Sequence, residues 1–266
     1  MIRDNARVLR SGAIIAVADL REIYTWKTWI FAWLSRILCE VTFFAFIGKL
    51  LHSQAELRYL LIGNSVFIVT MVAMFACVSA AWERQSGTLP LLIASPSSLL
   101  TVFAGRSINW LVDGSACAAI SLLLLGPLFK LTMPWPRSLF VIPLIVCTGL
   151  STYCLGLALA GIVLRRLELR NLVANLAYLS LMVISGAEVP VTFLPRPVQY
   201  AANILPLTHG LAAIRYLLAG AAAGRVLDQG GMELAIGLGW LAVAFLVFRH
   251  LAERGRRDGS IEFGSL

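Results

Sequence analysis

A polar stretch at residues 82–96 lies between two long apolar runs and combines residue types suited to docking. Glu83 and Arg84 can form ion pairs, and Thr88 can cap a short helix by accepting from an orphan backbone N–H. Pro96 ends such a helix, because the residue before a proline avoids the helical region. This composition favours a small helix that binds a groove on a partner protein; the alternative is an ordinary turn at the membrane surface.

Two pairs of polar residues interrupt the apolar runs at helical spacing. Arg36 and Glu40 are four residues apart, as are Asn109 and Asp113, so each pair shares one helix face. Polar and charged groups in lipid are costly and usually face protein or a cavity. They either line a path through the membrane, or they lie near the helix ends and extend to the membrane surface or hold helices together, and we favour the second interpretation.

The motifs of several enzyme classes are missing from this sequence. It contains no G-x-x-x-x-G-K-[ST] phosphate loop, no H-E-x-x-H zinc motif and no G-x-S-x-G nucleophile elbow. Five cysteines lie inside apolar runs without C-x-x-C spacing, which is typical of small packed side chains rather than of a metal site. We therefore expect no catalytic residue, no metal site and no cofactor bound by this chain.

The composition predicts a protein that crosses a membrane several times. Of 266 residues, 59% are hydrophobic and only 14% are charged, whereas soluble domains carry about 25% charged residues. A spanning helix needs roughly 20 mainly apolar residues. Six candidate spans are Thr28–Leu51, Tyr59–Ala81, Leu99–Phe129, Leu139–Leu164, Asn171–Val189 and Met232–Leu251.

The net charge of +8 reflects an uneven distribution of Lys and Arg over the loops. With six spans both termini lie on one side, and that side carries about twice as many Lys and Arg residues as the other. The bias predicts a multi-pass protein of the cell membrane with both termini in the cytoplasm. No basic stripe interleaved with aromatics indicates nucleic-acid binding.

The ends of the chain differ from the spans. In residues 1–27 apolar side chains recur at roughly helical spacing, which predicts an amphipathic helix in the membrane interface. Trp26, Trp29 and Trp33 then mark the entry into the bilayer. Residues 254–266 are polar and predict a flexible cytoplasmic tail.

The region after the fifth span is too interrupted by proline to cross the bilayer. Pro190, Pro195, Pro197 and Pro206 punctuate it. Broken helices at membrane depth occur only where protein or water covers the freed backbone groups. Residues 190–220 are therefore predicted to form an extracellular re-entrant hairpin.

The pattern E-x3-G-T-L-x-x-L-x-x-S-P at residues 83–96 resembles the cytoplasmic coupling segment of ABC-2 type transporter permeases, the membrane subunits of ATP-driven exporters. The motifs P-x-x-x-L-P and L-P-L-T-x6-R with a terminal glycine, within residues 190–220, are similar to the same family. One departure is Pro90, where relatives often carry a polar or acidic residue. The resemblance covers nearly the whole chain.

The resemblance implies an all-α ABC-2 transmembrane domain over residues 1–253, with a coupling loop at 82–98. It implies two ATPase subunits that bind ATP and Mg²⁺, a second permease chain, identical or related, contact with membrane lipids, and a bacterial source. The coupling residues would be Glu83, Arg84, Gly87, Thr88, Leu89, Leu92, Ser95 and Pro96. The outer gate would be formed by Glu188, Pro190, Pro206, Leu207 and Thr208.

Short external loops and strongly apolar spans favour an amphipathic cargo that enters from the membrane. A hydrophobic drug, natural product or lipid-like molecule is the first expectation, and a lipid-linked polysaccharide is the second. An ATP-independent carrier or channel is the rival from another class, and it would require a more regular polar lining. A lipid-modifying membrane enzyme would require a cluster of His, Asp or Glu at one membrane face, which is missing from the sequence.

Overall fold

The described part of the chain folds into a bundle of α-helices, and six long apolar helices run from one end of the bundle to the other. The structure, a computed structural model, describes the backbone of residues 2–85, 87, 89, 92 and 97–258, and the side chains of these residues except 2–5 and 256–258. Six helices are long and apolar enough to cross a membrane. These spans 1 to 6 are Trp26–Leu50, Gln54–Gln85, Leu99–Leu128, Arg137–Arg165, Leu167–Ile184 and Ala223–Gly255.

The predicted all-α fold with six spans is confirmed, but the predicted boundaries of spans 2, 5 and 6 were wrong. Span 2 continues to Gln85, so four residues assigned to the loop are helical. The helix of span 5 ends at Ile184 and not at Val189, because the Gly-containing turn that follows adopts φ +86° at Gly186. The last helix begins at Ala223 and continues to Asp258, into the predicted tail; residues 259–266 lie outside the described part.

Span 2 is the central helix of the bundle. In its most apolar window 83% of the residues are buried, against 11% in span 5. Its side chains Leu61, Val66 and Val69 pack in the main hydrophobic core with residues from spans 1, 3 and 4 and from the helices after span 5. The helix is interrupted once, at Met74, between Gln54–Ala73 and Phe75–Gln85.

The amphipathic N-terminal helix is confirmed as Ile2–Ile23, here called the surface helix. It packs along span 3, where a Cβ on Gly12 would lie only 3.0 Å from the backbone of Gly105. Ala16 is fully buried at the same contact, whereas Ile14 remains 61% exposed on the surface helix. One strip of the helix therefore binds span 3, and an apolar strip remains available to the acyl boundary. We call this end of the bundle the inner end.

The segment after span 5 contains two short helices rather than one spanning helix. They are Arg196–Ile204 and Thr208–Leu218, and the chain turns between them at Leu205–Leu207. A single 3-10 turn, Val191–Phe193, precedes them. The shorter helices of the remaining chain are Trp26–Thr28, a π-helical stretch Trp29–Leu34 and Ser35–Leu50 in span 1, the 3-10 turn Arg137–Phe140 before Val141–Arg165 in span 4, and the 3-10 turn Leu167–Leu169 before Arg170–Ile184 in span 5.

The close crossing of the surface helix and span 3 predicts the effect of adding one methyl group. In Gly105→Ala the new Cβ would lie 2.9 Å from the Leu9 carbonyl oxygen and 3.2 Å from the Gly12 Cα. We expect the free energy of unfolding in mixed micelles to fall by about 1–3 kcal/mol, as overpacking does. The control is Gly239→Ala in span 6, where no atom lies within 4 Å of the added Cβ. An equal change in both variants would contradict the tight crossing.

Candidate functional site

The inner end of span 2 is fastened to span 3 by an ion pair. Glu83 Oε1 lies 2.7 Å from Arg106 Nε, and the two side chains are 10% and 27% exposed. The pair lies where span 2 ends and the predicted docking segment begins. Because a charge in this setting is costly without its partner, the pair holds the base of the segment against span 3.

Arg84 fastens the same end of span 2 to span 4. Its Nη1 donates to the Leu164 carbonyl at 2.5 Å and to the Arg165 carbonyl at 3.0 Å. These carbonyls belong to the last turn of the span 4 helix, where no N–H of that helix remains to bind them. Glu83 and Arg84, which the sequence marked as able to form ion pairs at the docking segment, therefore both bind within the chain.

Three residues of the docking segment, Gly87, Leu89 and Leu92, are among those that the structure describes. Gly87 adopts φ +70°, a conformation that other residues rarely take, and an added Cβ there would meet no atom within 4 Å. Leu89 is 1% exposed and packs in a second core cluster at the inner end, and Leu92 packs on its edge. The remaining predicted coupling residues, Thr88, Ser95 and Pro96, lie outside the described residues.

At the outer end, a buried carboxylate holds the second short helix. Glu233 of span 6 is fully buried, and its two carboxylate oxygens accept from the backbone N–H groups of Leu207 and Gly210, both at 2.8 Å. These N–H groups start the helix Thr208–Leu218 and have no partner within it. Leu207 adopts φ +84°, a strained conformation for leucine that brings its N–H to the carboxylate. Glu233 thus acts as a helix cap from another span.

Arg215 links this helix to span 2 and to the turn after span 5. Its guanidinium donates to the Gly186 carbonyl at 2.9 Å and to the Tyr59 carbonyl at 3.2 Å, and lies 3.5 Å from the centre of the Tyr59 ring. The Tyr59 hydroxyl donates to the same Gly186 carbonyl at 2.5 Å. Arg58 donates to the Leu218 carbonyl at 2.6 Å, at the other end of the helix. The helix Thr208–Leu218, here called the outer helix, is therefore fixed to span 2 and to the turn after span 5.

The predicted outer-gate residues occupy different surroundings within this region. Pro206 and Leu207 are buried at the turn before the outer helix, and the Thr208 hydroxyl oxygen is buried without a partner. Pro190 precedes the 3-10 turn. Glu188 is half-buried, and this burial raises the pKa of its carboxyl group above the ordinary value. Glu188 and Pro190 thus lie just before the 3-10 turn Val191–Phe193, and Pro206, Leu207 and Thr208 lie at the start of the helix Thr208–Leu218, so the five residues belong to two separate turns.

The two predicted intramembrane pairs differ. Arg36 and Glu40 pair at 3.6 Å on an exposed face of span 1. Asp113 is buried and accepts from the indole N–H groups of Trp29 at 2.7 Å and Trp33 at 2.9 Å. Asp113 therefore joins spans 1 and 3. The π-helical stretch Trp29–Leu34 contains both tryptophans, so two of the predicted boundary aromatics also bind inside the protein.

A family comparison decides what kind of membrane protein this is. The family model described as "ABC-2 type transporter" matches residues 16–219, which include spans 1 to 5 and both outer helices. The chain belongs to the ABC-2 type transporter family. It is also 25% identical over 231 residues to "Nodulation protein J" of Rhizobium leguminosarum bv. trifolii, covering 83% of this chain and 87% of that protein.

Membership in the ABC-2 family makes the chain a multi-pass membrane subunit that works with ATPase partners. The resemblance based on residues 83–96 and 190–220 is thereby confirmed at the level of the family. Sequence reasoning had missed two polar contacts that join spans of the permease, those of Glu233 and Arg106. Glu233 and Arg106 were not singled out, because each sits in a helix without a neighbouring motif and only the fold brings its partner near. The glutamate inside an apolar run was the available signal.

The inner ion pair of the permease predicts unequal costs for two glutamate deletions. Glu83→Ala leaves Arg106 partly buried without its carboxylate, so the free energy of unfolding should fall by about 2–4 kcal/mol. Glu253→Ala removes the partner of Arg249, where the side chains are 65% and 53% exposed, and should cost less than about 0.5 kcal/mol. Equilibrium unfolding in mixed micelles measures both, and similar losses would show that the inner pair is no stronger than a surface pair.

The cap at the outer helix predicts a local effect. Glu233→Ala leaves the N–H groups of Leu207 and Gly210 without an acceptor, so their hydrogen exchange should speed up by about 10- to 100-fold, the equivalent of about 1–3 kcal/mol. Glu233→Gln keeps one acceptor oxygen and should give an intermediate rate. Asp228→Ala, an exposed change in the same helix, is the control. Unchanged exchange in Glu233→Ala would remove the capping role.

Proposed function

We propose that this chain is the permease subunit of an ABC exporter and forms half of a translocation pathway driven by separate ATPase subunits. The observation that carries the proposal is the anchoring of the docking segment. Glu83 binds span 3 and Arg84 binds span 4 at the point where span 2 leaves the bundle. Any force applied to residues 83–96 therefore acts on three spans at once.

Two ATPase subunits would bind the inner end, one for each permease, with residues 83–96 in a groove of the ATPase. ATP and Mg²⁺ bind to those subunits, since this sequence has no phosphate loop. ATP draws the ATPases together and displaces the segment. The ion pair at Glu83 and the hydrogen bonds of Arg84 pass that displacement to spans 3 and 4, which biases the bundle between two states.

A second permease, identical or related, would complete the pathway. Span 5 and span 1 are the least buried, at 11% and 17% in their most apolar windows. Large apolar side chains are exposed on both, including Phe31 and Phe43 in span 1 and Leu172 and Leu176 in span 5. In a single protomer these apolar faces are left uncovered. A second permease together with membrane lipid would cover them, which supports a dimer.

The broken segment at residues 190–220 would act as the outer gate. Its second helix is held by Glu233 of span 6 and by Arg215, which binds span 2 and the turn after span 5. A movement of these spans would shift the helix, because Glu233 of span 6 caps its start and Arg58 of span 2 binds the Leu218 carbonyl at its end. The contacts within the membrane, Asp113 with Trp29 and Trp33, hold spans 1 and 3 together during that movement.

The cargo is proposed to be an amphipathic drug, natural product or lipid-like molecule, and a lipid-linked polysaccharide is the alternative. A mostly apolar cavity of about 610 Å³ between the surface helix, span 1 and span 3 supports the first, since drug-sized ligands occupy sites of roughly 300–1,000 Å³. The inner end is placed in the bacterial cytoplasm because it carries the Lys and Arg excess.

A blocking experiment tests the docking of ATPases. Gly87→Cys, made in a chain with the exposed Cys39 changed to serine, adds a thiol-bearing side chain whose Cβ has no atom of the described residues within 4 Å. Modification with a bulky maleimide should reduce ATPase co-purification and cargo export by about tenfold or more, the loss expected when a central contact of an interface is disrupted. Co-purified proteins are identified by mass spectrometry from the native host.

The control is Gly224→Cys at the outer end, which is equally unobstructed and should leave ATPase binding unchanged after the same modification. Full ATPase binding by the modified Gly87→Cys protein would exclude docking on this segment. Export that continues with no ATPase present would favour an ATP-independent carrier.

A further inference from the structure

The residues that line the cavity of about 610 Å³ include Asn109, which has a polar atom that nothing in the described part of the protein binds. Asn109 is 6% exposed, and its Oδ1 is buried without a hydrogen-bond partner. Burying an unsatisfied acceptor costs about 1–3 kcal/mol. The cost is removed if a ligand with an N–H or O–H donor occupies the cavity.

The second polar group on the cavity wall is also an acceptor. Both oxygens of Asp113 accept an indole N–H, from Trp29 and Trp33. Oδ1 also accepts from the Cys117 thiol, so Oδ2 is the oxygen with capacity for a further donor. No ion pair joins Asp113 to a cation among the described residues, since the described salt bridges join other side chains. The wall therefore presents acceptors and negative charge to whatever enters.

Aromatic rings surround the same space. Tyr24, Trp26 and Trp29 line the cavity together with Asn109 and Asp113. The faces of tryptophan and tyrosine rings attract cations, and ammonium groups are commonly bound between such rings. Rings and acceptors together are the chemistry that binds a protonated amine.

A second, smaller cavity of about 200 Å³ meets Asn109 from the inner end. Asp19 and Glu22 of the surface helix line it, as does the Glu83–Arg106 pair. The acidic side chains make this a favourable approach for a cation from the inner side. Arg21, which lines the larger cavity, is exposed and can turn its charge toward water.

The rest of the large cavity is apolar and opens on the lipid-facing surface. Val112 is 65% exposed and Ile30 is 39% exposed, and both belong to spans. A ligand here has its polar head near Asn109 and its apolar body against these side chains. We propose that this cavity binds the cargo, and that the cargo is an apolar molecule bearing a protonated amine.

This inference rests on the proposed function, because the ligand is a cargo only if the chain is part of an exporter. Its test does not use the ATPase. The probe is a photoactivatable dodecylamine with a diazirine in its chain, added to the purified permease in nanodiscs. Its N-acetylated counterpart, of equal chain length but neutral, is the matched probe. Labelled peptides are mapped by mass spectrometry.

The amine should label Leu20–Ile30 and Ile108–Ala116, and the neutral probe should label them about tenfold less, the loss expected for one charge-assisted hydrogen bond. Asn109→Leu removes the unpaired acceptor at similar volume and should reduce amine labelling by about the same factor. Val112→Trp fills the cavity and should reduce labelling by both probes. Leu124→Trp, on an exposed apolar site of the same span, should leave labelling unchanged.

Equal labelling by the two probes, or full amine labelling of Asn109→Leu, would overturn the amine specificity. ATPase binding at the Gly87 region with no site-specific amine labelling would leave the exporter proposal standing and reject this one. Amine labelling at the site without any ATPase partner would support the amine site and reject the exporter proposal.

Discussion

Backbone groups in a bilayer need partners from the protein itself, and the ends of the spans in this permease depend on that constraint. Span 4 ends with free carbonyls, and Arg84 binds two of them. The outer helix starts with free N–H groups, and Glu233 binds two of those. In both cases a charged side chain from another span supplies the partner, so satisfying the backbone also fixes the helices to one another.

Span 2 takes part in this arrangement at both ends. At the outer end Tyr59 and Arg58 bind the loop after span 5 and the end of the outer helix. At the inner end Glu83 and Arg84 bind spans 3 and 4. Because the same helix is also the most buried of the six, it connects the docking segment with the outer helices through the centre of the bundle. The break at Met74 lies between these two sets of contacts.

The sequence was most informative where a feature repeats or is local. Apolar runs long enough to span a membrane predicted all six helices, and the prolines near Pro206 predicted the broken segment. The residues of 83–96 indicated the family, which the comparison then confirmed. Helix ends were less predictable, because Ala223–Asp258 extends through polar residues that packing and capping keep helical. Glu233 and Arg106 could not be assigned, since each pairs with a residue more than twenty positions away.

Helix lengths in this permease differ more than a flat bilayer would require. Span 5 has 18 residues and span 6 has 33, which correspond to about 27 Å and about 50 Å at 1.5 Å per residue. The hydrocarbon layer is about 30 Å thick. Lipids that match the apolar length of span 5 form a hydrocarbon layer slightly thinner than average. Span 6 is longer than that layer, so it must tilt or project into water. The membrane around one protomer is consequently not uniform in thickness, and its thinnest sector lies along the most exposed helix.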